Sequence, residues 1–396
     1  MSNMMGIIKL DGANSMLKEL CEHRPVASLP IAGRYRVIDF AVSNMVNSGI
    51  GNVGVLLSAN ARSIFDHLRS GKDWDLARQR GGLSYLPSDP YDGKPATGDL
   101  QGLYSNLDYI QHNAAEYILI AQADCVYNMD FRSVLLFHQN TGADITMVYS
   151  KAQDDISGNA AVMKVTENGR VTDIAKSLTV TAGMNDFLGV YLMSKDTFVK
   201  VVSNGFERGG TDFLLDGIIR HMEEYSIFGY EHKGYVSRIN STMAYFNANK
   251  DFLNPEIWSE VFMGDNLIHT KTKDAAPVQY KDTSRVVNCL VANGCEIRGE
   301  VENSIIFRDV KIGEGVKIKD CIIMERCVIE DNAMLRNVIC DKNVTVSKDQ
   351  WLKGADNYPL IVAKNTTIKI WQNSVQGSTE KLFFCKTCIN RAAAEV

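Results

Sequence analysis

The stretch Val310-Lys311-Ile312-Gly313-Glu314-Gly315-Val316-Lys317-Ile318 shows the pattern that decides the fold of the second half of the chain. Apolar or small residues return at every sixth position from about residue 286 to residue 350, with Gly, Asp and Asn between them. Such hexads are typical of a parallel β-helix, in which each coil adds three short strands. The main series comprises Cys289, Cys295, Val301 and Phe307, then Val310, Val316, Ile322, Val328 and Met334, then Val338 and Val344. The pattern therefore predicts a β-helix over residues 286–350, with longer turns where the spacing slips.

The region before the repeats reads as a mixed α/β domain over residues 1–252. Short buried apolar runs alternate with helical patterns up to residue 150, which indicates a parallel sheet covered on both faces. A hairpin signal of the Asn-Gly type at Glu167–Arg170 then indicates antiparallel strands toward one edge. Residues 253–285 are predicted to be a linker, and residues 351–396 a C-terminal cap or docking segment.

Composition excludes several functional classes. The chain has 396 residues, 45% of them hydrophobic and 22% charged, with a net charge of −5. This balance favours neither nucleic acid nor an anionic membrane, and no apolar run approaches the roughly 20 residues of a membrane span. Nine cysteines without a secretory signal indicate free thiols and a cytoplasmic protein. The pair Cys385 and Cys388 has no second ligand pair nearby, so the sequence predicts no metal site there.

A candidate phosphate-binding turn lies near the start, where the apolar run Ile7–Leu10 passes into a helical pattern. Phosphate turns work because backbone N–H groups face the anion and glycines allow close approach. Gly12, Asn14 and Ser15 are the candidate nucleotide contacts here. The alternative is an ordinary strand-to-helix turn in which Ser15 caps the helix.

A candidate metal or substrate carboxylate, Asp124, follows the predicted strand Tyr117–Ala121. Ligands of open parallel sheets gather at the carboxyl ends of the strands. The alternative interpretation of Asp124 is a cap for the helix that begins near Phe131.

Several short motifs together resemble the sugar-1-phosphate nucleotidyltransferases, and most closely the ADP-glucose pyrophosphorylases, over most of residues 4–350. The motifs are Gly33–Phe40, Ser43-Asn44, Asn47–Ile50, Trp74–Leu76, and the strand ending at Asp124 with Tyr127, Met129 and Asp130 after it. The resemblance implies a Rossmann-like mixed-sheet nucleotidyltransferase domain followed by a left-handed parallel β-helix of hexapeptide repeats. Members of this family join a sugar 1-phosphate to the α-phosphate of a nucleoside triphosphate, with Mg²⁺ held by two carboxylates.

Against that resemblance, most of the charges that the reaction needs are missing. The family's phosphate-binding loop, which contains glycines and an arginine, is replaced here by Asp11–Met16. The family's Lys-Pro motif, which follows that loop, is replaced by Val26-Ala27. The family's base-contacting motif is replaced by Gly98-Asp99-Leu100, in which Gly98 alone matches the family. The family's motif for binding the sugar phosphate is absent, and Lys176-Ser177-Leu178 lies at about its position. Arg238 takes the position of the second metal carboxylate. Asp124 is retained, but the expected Mg²⁺ site is degraded, and no confident catalytic residue or metal site is predicted.

This pattern of losses resembles the D-type subunit of the glycogen-forming ADP-glucose pyrophosphorylases. The resemblance implies a regulatory subunit with little or no activity alone, paired with a catalytic subunit in a hetero-oligomer, expected to be a tetramer. It also implies a site for a phosphorylated effector, with Arg24, Arg34, Arg36 and His67 in the matching positions. The alternative for these four residues is a solvated surface or ion pairs.

Three other functions stay open on the sequence alone. One is an active nucleotidyltransferase with an unusual site. Another is an acyltransferase built on the β-helix, against which all seven histidines lie at or before His269. The last is a structural partner that binds no ligand.

Overall fold

The computed structural model describes residues 3–10, 15–58, 60–88, 98–152 and 156–369. The chain divides into two compact units, which are described separately. The first consists of Met1–Ile31 and Tyr35–Lys273, and the second of Ala32–Arg34 and Asp274–Val396. In the part of the chain that the structure describes, no helix is long and apolar enough to cross a membrane.

The first unit contains the mixed α/β domain. Its strands are β1 (Met4–Lys9), β2 (Pro30–Ile31), β3 (Tyr35–Arg36), β4 (Asn52–Leu56), β5 (Gly82–Leu86), β6 (Tyr117–Gln122), β7 (Cys125–Tyr127), β8 (Ile145–Lys151), β9 (Ile156–Val165), β10 (Val171–Val180), β11 (Asn185–Ser194), β12 (Ile227–Glu231) and β13 (Val236–Arg238). Its α-helices are α1 (Lys18–Cys21), α2 (Val37–Asn47), α3 (Arg62–Leu68), α4 (Gly98–Ser105), α5 (Leu107–Gln111), α6 (Phe131–Thr141), α7 (Lys195–Glu207), α8 (Thr242–Asp251) and α9 (Pro255–Phe262).

A nine-stranded sheet forms the centre of this unit, with the order β10-β9-β11-β6-β1-β4-β5, while β8 pairs with β11 and β12. Strands β6, β1, β4 and β5 are parallel to one another, and β11 runs antiparallel to β6. All six residues of β1 are buried, because apolar clusters cover both faces of the sheet. The predicted mixed sheet is therefore confirmed.

Several local predictions were wrong. The abundance of Gly, Pro, Asp and Arg in Lys72–Pro95 predicts an irregular segment, but this segment contains the edge strand β5, and its residues 89–95 lie outside the described part. The apolar spacing of Asp99–Asn113 predicts one helix, whereas the structure has two, α4 and α5. Thr211–Tyr225 is likewise predicted to be a single helix, but it forms a π-helical segment (Phe213–Ile218) followed by a 3₁₀ segment (Ile219–Glu224). Strand β13 pairs with β7 in a separate ribbon rather than with the main sheet.

The second unit is a left-handed parallel β-helix. One sheet comprises β14 (Gln279–Tyr280), β17 (Glu296–Ile297), β20 (Lys311–Ile312), β23 (Val328–Ile329), β26 (Thr345–Val346) and β29 (Thr367–Ile368). The next comprises β15 (Arg285–Val287), β18 (Glu300–Glu302), β21 (Lys317–Lys319), β24 (Met334–Arg336) and β27 (Trp351–Lys353). The third comprises β16 (Leu290–Val291), β19 (Ile305–Ile306), β22 (Ile322–Ile323), β25 (Val338–Cys340) and β28 (Leu360–Val362).

Stacked side chains fix the register of the coils. Ile297, Ile312, Ile329 and Val346 pair in sequence down one sheet, and each is at most 2% exposed. Asparagine ladders stabilise the corners, because Asn accepts a left-handed backbone and its amide can bond to the next coil. Asn288 has φ +50° and donates from Nδ2 to Asn303 Oδ1 at 2.8 Å. The hexad pattern predicted the inward residues only in part, because Val310 and Val316 are buried in the interior whereas Val328 is half-buried and Met334 is 46% exposed; the neighbouring Cys327 and Ala333 face inward instead.

The boundaries of the β-helix differ from those predicted from the hexads. Its first strand begins at Gln279, inside the predicted linker 253–285, and its last strand ends at Ile368, inside the predicted segment 351–396. The predicted linker also contains α9. The first strand was missed because Gln279 and Tyr280 are exposed. The last coil was missed because it is longer, since Val346 pairs with Ile368, 22 residues on, whereas Ile329 pairs with Val346, 17 residues on. Residues 370–396, including Cys385 and Cys388, lie outside the described part of the chain.

Replacing one inward isoleucine should destabilise the β-helix. Ile318 is 2% exposed and pairs in register with Val301 and Leu335, so Ile318→Ala should lower the free energy of unfolding by roughly 2–5 kcal/mol. The exposed neighbour Lys317 provides the control, and Lys317→Ala should change this free energy by less than about 0.5 kcal/mol. Urea unfolding measures both variants, and equal midpoints would contradict the inward assignment of Ile318.

Candidate functional site

The candidate site lies at the carboxyl ends of the parallel strands β1 and β6. Lys9 and Gln122 pair in register at these ends, and Asp124 follows directly after β6. The β7–β13 ribbon places Arg238 opposite Cys125, and Ile239 N donates to Asp124 O at 2.7 Å. Sheet and ribbon together therefore bring Asp124 and Arg238 side by side, although they are far apart in the sequence.

Arg238 is buried between two carboxylates. Its side chain is 4% exposed, and its Nη1 donates to Asp124 Oδ2 at 3.1 Å. Its Nη2 donates to Asp186 Oδ1 and Oδ2 at 3.2 and 3.1 Å, and to Phe187 O at 2.5 Å. A buried guanidinium with carboxylate partners on two sides is held in one position, because releasing it would leave charges unpaired in a medium of low dielectric.

Burial also sets the protonation of the neighbouring groups. It raises the pKa of Asp186 above its ordinary value, although the Arg238 guanidinium acts in the opposite direction. Burial likewise raises the pKa of the Cys125 thiol well above its ordinary value, so Cys125 is a neutral thiol. A neutral, buried thiol is a poor nucleophile and a poor metal ligand.

The residues around Asp124 do not fit the Mg²⁺ ion that the sequence resemblance implies. The guanidinium of Arg238 contacts the Asp124 oxygen that a cation would need, and it carries positive charge where a second carboxylate is required. The remaining Asp124 oxygen, Oδ1, is buried and has no hydrogen-bond partner among the described residues. Nor does any group of three His, Cys, Asp or Glu side chains within those residues form a metal-binding set. The loss of the metal site at Arg238 stays a prediction.

Two lysines near the site are also engaged by carboxylates of the chain. Lys9 Nζ contacts the carboxylate of Asp99 and lies over the rings of Tyr191 and Phe213, 5.9 and 5.6 Å from their centroids. Lys176 contacts the carboxylate of Asp212. Burial opposes ionisation of Asp212, but the hydrogen bonds from Lys176 and the backbone lower its pKa below the ordinary value. Both lysines are therefore already partnered by internal anions.

Gly98, a candidate nucleotide contact, has a clear packing role. Its φ is +78°, and a Cβ atom there would lie 2.0 Å from the carbonyl oxygen of Thr211. The first turn of α4 consequently sits directly on Thr211, whose oxygen accepts from Leu100 N at 3.2 Å. Asp99 accepts from Phe213 N at 2.8 Å as well as contacting Lys9. Nucleotide binding at Gly98 stays a prediction.

The opening loop falls largely outside the described residues. Gly12 and Asn14 are among the residues not described, and the side chain of Ser15 is not described either. Ser15 begins a 3₁₀ turn, Ser15–Leu17, which continues into α1. The predicted transition from strand to helix is thus present, and contacts of this loop with a nucleotide stay predictions.

The four predicted anion contacts occupy different environments. Arg24 is half-buried and donates from Nε to Leu20 O at 2.8 Å. Arg36 donates from Nη1 to Ser63 O at 2.8 Å, and its backbone N donates to Asp39. Arg34 is exposed and belongs to the segment that is grouped with the second unit.

His67 is buried and faces a carboxylate. It is 4% exposed, and its Nε2 lies 2.5 Å from Asp39 Oδ1. Burial lowers the pKa of His67 below 6.5, although Asp39 raises it in part. The role of Arg24, Arg34, Arg36 and His67 in binding an effector stays a prediction.

Sequence reasoning missed four residues of this site: Lys9, Asp99, Asp186 and Asp212. Asp186 lies near the start of β11, where its sequence neighbours give no hint of a contact with Arg238. The available signal was indirect, since an arginine predicted at the end of a buried strand requires a buried anion.

Comparisons with known proteins give the class of the chain. The family described as "Nucleotidyl transferase" matches residues 5–235, and "GlmU-like, C-terminal hexapeptide" matches residues 275–357. The chain therefore belongs to the nucleotidyl transferase family, in the branch that contains the GlgD proteins and the glucose-1-phosphate adenylyltransferases.

Individual relatives are similar over most of their length. The chain is 34% identical to "Glycogen biosynthesis protein GlgD" of Bacillus subtilis (strain 168), over 92% of this chain and 96% of that protein. Its identity with the GlgD protein of Geobacillus stearothermophilus is also 34%, over 92% and 97%. With the "Glucose-1-phosphate adenylyltransferase" of Mycoplasma mobile (strain ATCC 43663 / 163K / NCTC 11711) the identity is 31%, over 80% and 84%. The resemblance stated from the sequence motifs is confirmed.

Neutral His67 should make the stability of the protein depend on pH. Because its pKa in the folded state lies below 6.5, the unfolded chain takes up a proton first as pH falls from 6.5 toward about 5. The stability of the folded protein should fall over this range. His67→Gln should reduce that fall because glutamine does not take up a proton, and its amide can still donate to Asp39. Burial also lowers the pKa values of His138 and His232, so some pH dependence should remain.

The control is Lys317→Ala, which leaves every histidine in place. Urea unfolding at several pH values measures the effect. A His67→Gln variant with the same pH dependence as the unmodified protein would contradict the account.

Proposed function

We propose that this chain is the regulatory, catalytically impaired subunit of a cytoplasmic glucose-1-phosphate adenylyltransferase in glycogen biosynthesis. That enzyme class converts ATP and glucose 1-phosphate to ADP-glucose and pyrophosphate. The observation that carries the proposal is the Arg238 guanidinium, 3.1 Å from the one retained metal-type carboxylate, Asp124.

Electrostatics is the main reason for expecting impaired catalysis. Nucleotidyl transfer depends on cations that neutralise the charge developing on the phosphates. Asp124 is instead neutralised by Arg238, while Lys9 and Lys176 contact Asp99 and Asp212. These cations would have to leave internal partners before they could contact a triphosphate, and each departure would leave a carboxylate without its cation.

The proposed partner is a catalytic subunit of the same family, in a hetero-oligomer that we expect to be a tetramer. Support comes from the relatives, because the chain is similar both to proteins named for glycogen biosynthesis and to adenylyltransferases. A phosphorylated metabolite is the proposed effector, with Arg24, Arg34, Arg36 and His67 as its candidate contacts. Burial of His67 against Asp39 makes it the least accessible of the four in the described conformation.

ADP-glucose formation should distinguish a regulatory subunit from an enzyme. The assay compares the pure chain, a catalytic glucose-1-phosphate adenylyltransferase from the same source organism, and the two mixed, each with and without sugar phosphates as activators. The pure chain should form little or no ADP-glucose, because its metal site is filled by Arg238. The mixture should differ from the catalytic subunit alone in affinity for substrates or in activation.

The assembled mass of the mixture provides the accompanying measurement. Robust turnover by the pure chain would contradict the proposal in favour of an active nucleotidyltransferase. A mixed complex whose kinetics and activation match those of the catalytic subunit alone would instead indicate a structural partner. Absence of any mixed complex would contradict the partnership itself.

A further inference from the structure

Asp186 supplies most of the contacts that hold Arg238. Its two oxygens accept from Nη2 at 3.2 and 3.1 Å, and Oδ2 also lies 3.3 Å from Nε. Phe187 O, the next acceptor along β11, takes a further hydrogen bond from Nη2. These contacts fix the plane of the guanidinium and direct Nη1 toward Asp124.

Asp124, in contrast, is only half satisfied. Its Oδ2 accepts from Arg238 Nη1 at 3.1 Å and from Gln122 Nε2 at 3.2 Å. Its Oδ1 is buried without a hydrogen-bond partner among the described residues, although a buried carboxylate oxygen normally has one. The cluster also contains two carboxylates and a single guanidinium. The second carboxylate and the unpartnered oxygen indicate that, without the guanidinium, this position would suit a cation with more than one positive charge.

We propose that Asp186 and Arg238 form a matched pair in which the guanidinium serves Asp124 as an internal cation, so that removing it opens a divalent-cation site. In the unmodified chain Asp186 positions Arg238 against Asp124, and once the guanidinium is removed the same carboxylate becomes a ligand of the divalent cation. This inference deepens the proposed function and shares one premise with it, namely that Arg238 takes the place of a metal-binding carboxylate.

The geometry supports the opening of such a site. Asp124 and Asp186 lie on two sides of one guanidinium, so removing that group leaves two carboxylates facing a common point. Hard divalent cations bind to clusters of carboxylate oxygens of this kind. Arg238→Asp changes the local charge by two units and supplies the third carboxylate, while Asp124 Oδ1 is already unpartnered.

Binding of Mn²⁺ tests the proposal without any measurement of activity. Electron paramagnetic resonance detects free Mn²⁺, and its signal falls when the ion binds to protein. The full-length R238D variant should bind Mn²⁺, and Mn²⁺ should raise its thermal midpoint. The unmodified chain should do neither. The matched control is R220D, which removes an exposed arginine that pairs with Asp216 at 2.7 Å, and it should behave like the unmodified chain.

The double variant R238D/D186N tests the part assigned to Asp186. Loss of that carboxylate should weaken Mn²⁺ binding by roughly 10–100-fold relative to R238D. Equal Mn²⁺ affinity of the two variants would overturn the role of Asp186. Equal binding of Mn²⁺ by the unmodified chain and R238D would overturn the internal-cation role of Arg238, as would a folded R238D that leaves the Mn²⁺ signal unchanged.

Folding of R238D itself is coupled to the prediction, because the variant concentrates negative charge in a buried place. If R238D is unfolded without metal, it is refolded with Mn²⁺ or with Na⁺ and its circular dichroism is recorded. A native circular dichroism spectrum after refolding with Mn²⁺, but not after refolding with Na⁺, supports the divalent-cation site. If neither ion restores the fold, the less acidic R238D/D186N is measured in the same way, and failure of that variant to bind Mn²⁺ overturns the proposal. A failed mixing assay for ADP-glucose would contradict the proposed function and leave the Mn²⁺ result unaffected.

Discussion

The buried guanidinium of Arg238 is the interaction on which the candidate site depends. It joins the end of β6, through Asp124, to β11, through Asp186 and Phe187, and it does so from the separate β7–β13 ribbon. Breaking one partner of a buried ion pair typically costs about 3–5 kcal/mol, because the other charge stays buried without compensation. The cluster therefore fixes three chain segments and at the same time decides the chemistry available to Asp124.

Three cations of this site contact carboxylates of the same chain. A triphosphate site requires cations held ready for a ligand, whereas here Arg238, Lys9 and Lys176 contact carboxylates of the same chain. Gly98, which the resemblance assigns to nucleotide binding, has a packing role here, because it permits the close contact of α4 with Thr211. The fold of the nucleotidyl transferase family is thus kept, and the hydrogen bonds of Arg238 to Asp124 and Asp186 join separate elements of that fold.

Much of the fold could be predicted from the sequence because side chains that are buried at regular intervals appear in the sequence as regularly spaced apolar residues. The hexads identified inward positions such as Val310 and Val316 but were out of register by one residue at Val328 and Met334, and the short apolar runs identified β1, β4 and β6. Prediction failed where tertiary contacts override the local pattern. Strand β5 follows a segment rich in Gly and Arg, and the Phe213–Ile218 segment adopts a π-helix although its apolar spacing suits an α-helix. Within the site, Arg238 and Asp124 could be named from the resemblance, but Asp186 could not, because a contact across 52 residues of chain leaves no spacing to recognise.

Calorimetric titration of Mg²⁺ into the nucleotide-free chain tests the central claim most directly. If Arg238 replaces the metal, the unmodified chain should give no more binding heat than the variant Asp124→Asn, which lacks the carboxylate. Mg²⁺ binding by the unmodified chain that Asp124→Asn abolishes would contradict the account, because it would show that a divalent cation reaches Asp124 in spite of the guanidinium.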